Sequence, residues 1–197
     1  MNQFTALDSL VSENNGYLLT SQALQHGISK PVLADYVRKR KMERVAHGVY
    51  LAADAWPDAF YQLYLLNRRI VFSHESALFL HGLMEREPNC ISVTVPAGYN
   101  ATHLRRRNIT VYQCKPNFYN LGTAKVRTTF DNEVNAYDRE RTICDIIRSK
   151  DKLDVQVFQY AMKEYMASAD KDLIHLMAYA KVFRMESVVR TYTEVML

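Results

Sequence analysis

Cysteine is scarce in this chain of 197 residues: Cys90, Cys114 and Cys144 stand 24 and 30 positions apart. An odd number so widely spaced gives neither a disulfide framework nor a zinc knuckle, and reduced thiols are expected. Glycine and proline are few, at six and five. With 48% hydrophobic and 23% charged residues, that excludes collagenous, low-complexity and disordered chains. No apolar run approaches the ~20 residues of a membrane span. The opening Met1-Asn2-Gln3-Phe4 lacks the charged n-region and apolar core of a signal peptide. A soluble, cytoplasmic monomer is expected, as one large domain or two small ones, burying roughly 70% of its unfolded surface.

Strong net charge is missing too. Lys and Arg number 25 against 21 Asp and Glu, a surplus of +4 that identifies no partner. The distribution says more. Between Lys30 and Gly48, Lys30, Arg38, Lys39, Arg40, Lys41 and Arg44 outnumber Asp35 and Glu43 by four. Pro88 to Phe130 carries Arg105, Arg106, Arg107, Lys115, Lys125 and Arg127 and no acid. The remainder of the chain carries a net −6. Such segregation is the pattern of a polyanion-binding protein, unless the basic stretches are simply solvated faces.

The first of these stretches sits in a recognisable order of elements. Phe4, Leu7, Leu10 and Val11 predict a helix stopped by Asn14-Asn15-Gly16. Tyr17-Leu18-Leu19 is a short strand, and Thr20 or Ser21 caps a helix that Gly27 ends. Ser29 caps a third helix with Pro31 in its first turn, where the missing N–H is harmless. Leu33, Tyr36 and Val37 make its apolar stripe, and Arg44 to Leu51 read as a hairpin around His47-Gly48. Helix, strand, helix, turn, helix and hairpin is the order of a winged helix-turn-helix, whose third helix can enter a major groove about 12 Å wide. At 100° per residue, inward Leu33 and Val37 turn Pro31, Asp35, Arg38 and Lys39 outward, with Lys30 flanking them. Arg40 falls nearer the buried side and is expected to snorkel. Arg44 and His47 would contact phosphate from the wing. A winged helix can also be a protein-docking module; basic residues on helix and wing favour DNA.

The pattern changes after Asp54-Ala55-Trp56-Pro57-Asp58, so domains of 1–53 and 54–197 are expected. A helix follows over 58–67, then a strand at Ile70-Val71-Phe72 and a helix from His74 to His81. Strands 91–95 and 109–114 flank a basic loop, 98–108, and strands are expected at 125–129 and 132–135. Beyond Arg139 helices are expected at 140–148, 152–167, 170–184 and 186–196. The fold class is α+β: an N-terminal winged helix-turn-helix, then a larger mixed α/β domain ending in several helices.

Several strings occur in order: Gly16-Tyr17-Leu18-Leu19-Thr20, Gly27-Ile28-Ser29, Arg44-Val45-Ala46-His47-Gly48-Val49-Tyr50, Ser73-His74-Glu75-Ser76-Ala77-Leu78-Phe79-Leu80-His81-Gly82-Leu83 and Asp138-Arg139-Glu140-Arg141-Thr142-Ile143-Cys144-Asp145. Together they resemble the AbiEi family, the antitoxins of abortive-infection type IV toxin–antitoxin systems, over almost the whole chain. The resemblance implies a DNA-binding autorepressor whose winged helix binds inverted repeats in its own promoter. It implies a C-terminal domain that shares in repression and antagonises a nucleotidyltransferase toxin. It also implies no catalysis and no cofactor.

Tests for catalytic sites agree with that expectation. A PD-(D/E)xK nuclease needs an acid and then acid-x-Lys on adjacent strands to hold Mg²⁺; strands 91–95 and 109–114 contain no acid. A nucleotidyltransferase needs Gly-Ser ahead of Asp-x-Asp. No Gly-Ser occurs, and Asp170-Lys171-Asp172 opens a helix, where capping explains the acids. His74 and His81, two helical turns or ~10.5 Å apart, are too distant to share a metal. They are expected to be structural, His81 as a cation at a helix C-terminus. Cys144, between isoleucines, is expected to be a buried, inert thiol. Arg105, Arg106 and Arg107 remain as a second contact to nucleic acid or a partner, or as solvated charges. The alternatives to an antitoxin are a metal-dependent nuclease targeted by its winged helix, and a stand-alone transcription factor with a ligand-sensing C-terminal domain.

Overall fold

A computed structural model describes residues 2–196, and the side chains of 2–194. The chain forms a mixed α+β fold in two compact units: residues up to Arg68 with Arg127–Val134, and from Arg69 to Val126 and from Asn135 on. The expected division at 53–54 falls inside the first unit.

In the first unit, α1 (Gln3–Glu13) starts at Asn2, whose side chain accepts from the Phe4 amide. Leu7 and Leu10 face inward, against Ala23, Ile28, Leu33 and Tyr36. β1 (Tyr17–Leu19) is wholly buried. α2 (Thr20–Gln25) closes with the Ile28 amide on the Ala23 carbonyl at 3.0 Å, with Gly27 at φ +73°. That closure needs a left-handed residue, which glycine supplies without a Cβ clash. α3 (Lys30–Lys39) has Pro31 in its first turn, and Leu33 and Tyr36 make its buried stripe. β2 (Glu43–Ala46) and β3 (Val49–Leu51) complete an antiparallel sheet of order β1-β3-β2, with Tyr17 opposite Leu51 and Leu19 opposite Val49. A bulge interrupts β2 between Arg44 and Ala46.

α4 (Ala59–Leu66) ends this part of the unit, and its N-cap Asp58 is only 1% exposed. The string ending at Asp58 reads as a domain boundary in the sequence, yet its carboxyl is a junction. Oδ1 accepts from the Tyr61 amide at 2.9 Å; Oδ2 accepts from Thr128 Oγ1 at 2.6 Å and Asn132 Nδ2 at 2.8 Å. Three donors satisfy the buried carboxyl, and with Asn15 Nδ2, which donates to the Asp131 carbonyl and Asn132 Oδ1, they tie 127–134 to the first unit. Asp58→Ala leaves these buried donors unpaired and is expected to lower stability by about 2 kcal/mol, read from urea unfolding.

The second unit contains β4 (Val71–Phe72), α5 (His74–Leu80), β5 (Ser92–Pro96), α6 (Thr102–Arg105) and β6 (Thr110–Cys114). α7 (Pro116–Tyr119), β7 (Thr123–Arg127) and β8 (Glu133–Tyr137) follow, apart from Arg127 and Glu133–Val134, which belong to the first unit. The sheet order is β6-β5-β4-β8-β7; β4 is antiparallel to β5, while β4–β8 and β5–β6 are parallel. Parallel neighbours require a crossover. The stretch 98–108, expected to be a loop, is that crossover: it contains α6 and is pinned by buried Ala101 and Leu104. The expected strands at 125–129 and 132–135 lie at 123–127 and 133–137 instead.

Four helices follow: α8 (Arg139–Arg148), α9 (Val155–Ala167), α10 (Leu173–Val182) and α11 (Glu186–Met196). Asp138, Asp154 and Asp172 cap the first three through their side chains. Ile143, Ile146, Met162, Tyr165, Leu176 and Val189 fill the core between them. Among the described residues no helix is long and apolar enough to cross a membrane.

Candidate nucleic-acid interface

The outward face of α3 follows from its inward one. With Leu33 and Tyr36 buried, Lys30, Pro31, Arg38 and Lys39 are exposed and Asp35 is half-buried among them. Asp35, Arg38 and Lys39 form one cluster: Arg38 donates from Nη2 to Asp35 Oδ1, and Lys39 Nζ lies 2.9 Å from Oδ2. These bonds from Lys39 and then Arg38 hold the Asp35 carboxyl below the usual carboxylate range. Arg40 differs from its neighbours. It caps the end of α3, pairs with Asp8 of α1 at 2.7 Å and stacks over the Tyr36 ring. Its exposed guanidinium, lying over the Tyr36 ring and paired with Asp8, is the snorkelling arrangement expected.

Arg44 and His47 stand exposed on the hairpin, and Arg44 Nε donates to the Ala46 carbonyl at 3.4 Å across the bulge. The structure places the helix residues Lys30, Pro31, Asp35, Arg38 and Lys39 and the hairpin residues Arg44 and His47 in one unit. Arg105, Arg106 and Arg107 belong to the other. They are exposed at the end of α6 with no ion-pair partner among the described residues, and Asn108 follows at φ +58°.

His74 and Cys144 are buried, and His81 is half-buried. His74 is buried with its ring stacked on Tyr112, centroids 3.5 Å apart. Its nitrogens lie 3.1 Å from Ser73 Oγ and 3.2 Å from Ser149 Oγ. Burial first, then the charges of Arg148, Arg141 and Lys152, push its pKa down to about 3. Such a shift leaves the ring neutral and a weak base near neutral pH. His81 corrects an expectation: its Nε2 lies 2.7 Å from the Tyr137 carbonyl and burial pushes its pKa down. Burial therefore outweighs the Tyr137 carbonyl, which favours the charged ring. Burial raises the Cys144 thiol to about 12, which makes it a poor nucleophile. Among the described residues no three His, Cys, Asp or Glu side chains gather in a way that could hold a metal ion.

Two features escaped the sequence. Asp8 is an acid with no motif, and only the packing of α1 against α3 brings it to Arg40. Ser73, Ser76, Ser92 and Thr94 form a buried hydroxyl cluster; Ser92 Oγ donates to the Ser73 carbonyl at 2.6 Å and Thr94 Oγ1 to Ser73 Oγ at 2.9 Å. Alternation of Ser92 and Thr94 with valines was its only signal.

No protein-family profile matches the chain, and no curated protein does. Among solved structures it is similar to the RV2827C protein from Mycobacterium tuberculosis, with a TM-score of 0.59 and 12% identity. That similarity covers 98% of this chain and 79% of that one, and at such identity it extends to the fold alone.

Proposed function

We propose that this protein is a DNA-binding autorepressor and antitoxin of a type IV toxin–antitoxin system, with a winged helix-turn-helix as its N-terminal unit. The exposed face of α3 carries the reading: Lys30, Arg38 and Lys39 project from a helix anchored by Leu33 and Tyr36, and a hairpin bearing Arg44 and His47 belongs to the same unit. Helix α3 would lie in the major groove of inverted repeats in the protein's own promoter, with Arg44 and His47 on the phosphates. Arg105, Arg106 and Arg107 would supply a second contact, to DNA or to a partner. The antitoxin half, antagonism of a nucleotidyltransferase toxin without catalysis or cofactor, is supported by the resemblance to the AbiEi family.

A gel shift on the duplex upstream of the gene tests the DNA half. Wild type should bind and weaken steeply with added salt, because each neutralised phosphate releases counterions. The Arg38→Ala/Lys39→Ala variant should bind about 10- to 100-fold more weakly. Wild-type binding no tighter than that of the variant would end the reading. An adjacent reading frame encoding a nucleotidyltransferase, whose toxicity this protein relieves on co-expression, tests the antitoxin half.

One observation favours a second reading, a ligand-sensing transcription factor without a toxin. The second unit has a cavity of about 590 Å³ walled by Leu153, Val155, Phe158 and Met162, and Lys150 donates to the Tyr192 hydroxyl at its rim. An orphan gene would favour that reading.

A further inference from the structure

We infer that Asp35 is a positioning residue that aims Arg38 at a guanine in the operator; this rests on the DNA-binding reading of α3. A cation meant only for phosphate needs no acid beside it, because a carboxylate on the same face repels the backbone it approaches. Lys30 and Arg44 fit that simple role: among the described residues neither has an acid within ion-pair distance. Arg38 does not. It is one helical turn beyond Asp35, largely exposed, and bound through Nη2 to Oδ1, while Lys39 takes Oδ2. The acid faces outward with both cations, where packing does not require it.

The arrangement makes chemical sense for base reading. A free arginine samples many rotamers, and fixing it on a base edge forfeits that freedom. A carboxylate at i−3 that holds one of the five N–H groups restricts the guanidinium before DNA arrives. Four N–H groups remain, and guanine O6 and N7 need two in a fork, the geometry that arginine provides and lysine does not. Asp35 also neutralises part of the local charge, so the helix face binds unselected DNA less tightly than its cations alone would. Both effects widen the gap between a guanine-containing site and any other.

Selection from a pool of randomised duplexes tests this without knowledge of the operator. Wild type should enrich sites with one fixed guanine per half-site. Asp35→Ala and Asp35→Asn should fold, since the exposed pairs contribute little to stability, and should bind unselected duplex at least as tightly as wild type. Their preference for guanine at that position should fall from roughly 5- to 150-fold, the range of a bidentate pair, to near none. Arg38→Lys, which keeps the charge without the fork, should lose the same preference. The inference about Asp35 is overturned, with DNA binding intact, if the Asp35 variants enrich the same guanine undiminished or if wild type binds without fixing a guanine. Failure of wild type to bind duplex at low salt overturns the DNA-binding reading, and the role of Asp35 with it.

Discussion

Replacing Arg141 with methionine is expected to lower the stability of the second unit by about 3–5 kcal/mol, measured by chemical denaturation. Arg141 is 1% exposed, and its guanidinium is held through Nε and Nη1. Nε lies 3.0 Å from Asp145 Oδ2, and Nη1 donates to the carbonyls of Phe118 and Leu121, each at 2.9 Å. The rings of Tyr137 and Phe183 cover it at 4.2 and 4.4 Å. Its stem sits so close to Gly122 that a Cβ there would fall 2.8 Å from Arg141 Cβ, which is why glycine is required at that turn. Asp145 is the reason for the large effect. Burial pushes its carboxyl up and Arg141 foremost opposes that rise, so the methionine variant leaves this buried acid to the more distant Arg148, 3.8 Å from Oδ1. An Arg141→Met/Asp145→Asn variant, which removes both charges, should recover at least half of the loss. Equal losses in the single and double variants would mean that the carbonyl bonds and ring contacts carry the energy and the ion pair does not. A domain is stable by only 5–15 kcal/mol or so, hence the single change threatens folding itself.

That node was partly visible in the sequence. The helix over 140–148 is legible; its cap, where Asp138 Oδ1 accepts from the Arg141 amide at 2.7 Å, emerges only in the fold. Periodicity cannot show that a charged residue on that helix is the largest fully buried side chain. The sequence places Arg141 among polar neighbours, and only the approach of residues 118–122 encloses it. The same divide runs through the candidate interface. Helix α3, its proline and its outward face are legible because an apolar stripe at 3.6-residue spacing fixes the opposite face. Its electrostatics are less so. Counting charges gives six cations against two acids from Lys30 to Gly48. In the fold, Arg40 pairs with Asp8, from outside that segment, while Asp35 engages Arg38 and Lys39. Residues 127–134 were illegible for a related reason: they are tied to the first unit by Asn15 and by Asp58, a buried acid inside a string that reads as a domain boundary. The crossover at 98–108 reads as a loop because α6 is only one turn long, too short for any hydrophobic period.

Acid is expected to destabilise the protein through His74. In the unfolded chain its imidazole titrates near 6.5, whereas in the fold burial and the nearby cations hold the pKa at about 3. As pH falls below 6.5 the unfolded chain takes up a proton that the folded one refuses. The stability from His74 is therefore complete above pH 6.5 and drains away down to about pH 3, near 3 kcal/mol of it between pH 7.5 and 4. His81, shifted in the same direction by burial, adds to the slope. Asp145 and Glu75, raised by burial, act oppositely, so the informative quantity is a difference between proteins. Asparagine suits the test because His74 has φ +51°, a left-handed conformation that asparagine adopts more readily than most residues. His74→Asn should be less stable than wild type at pH 7.5, where the stack on Tyr112 is lost, and should approach or overtake it by pH 4. Parallel stability profiles for the two proteins would mean that His74 titrates normally in the fold. That outcome would also reopen its pairing with Ser149, at 3.2 Å, as a base and hydroxyl able to act near neutral pH.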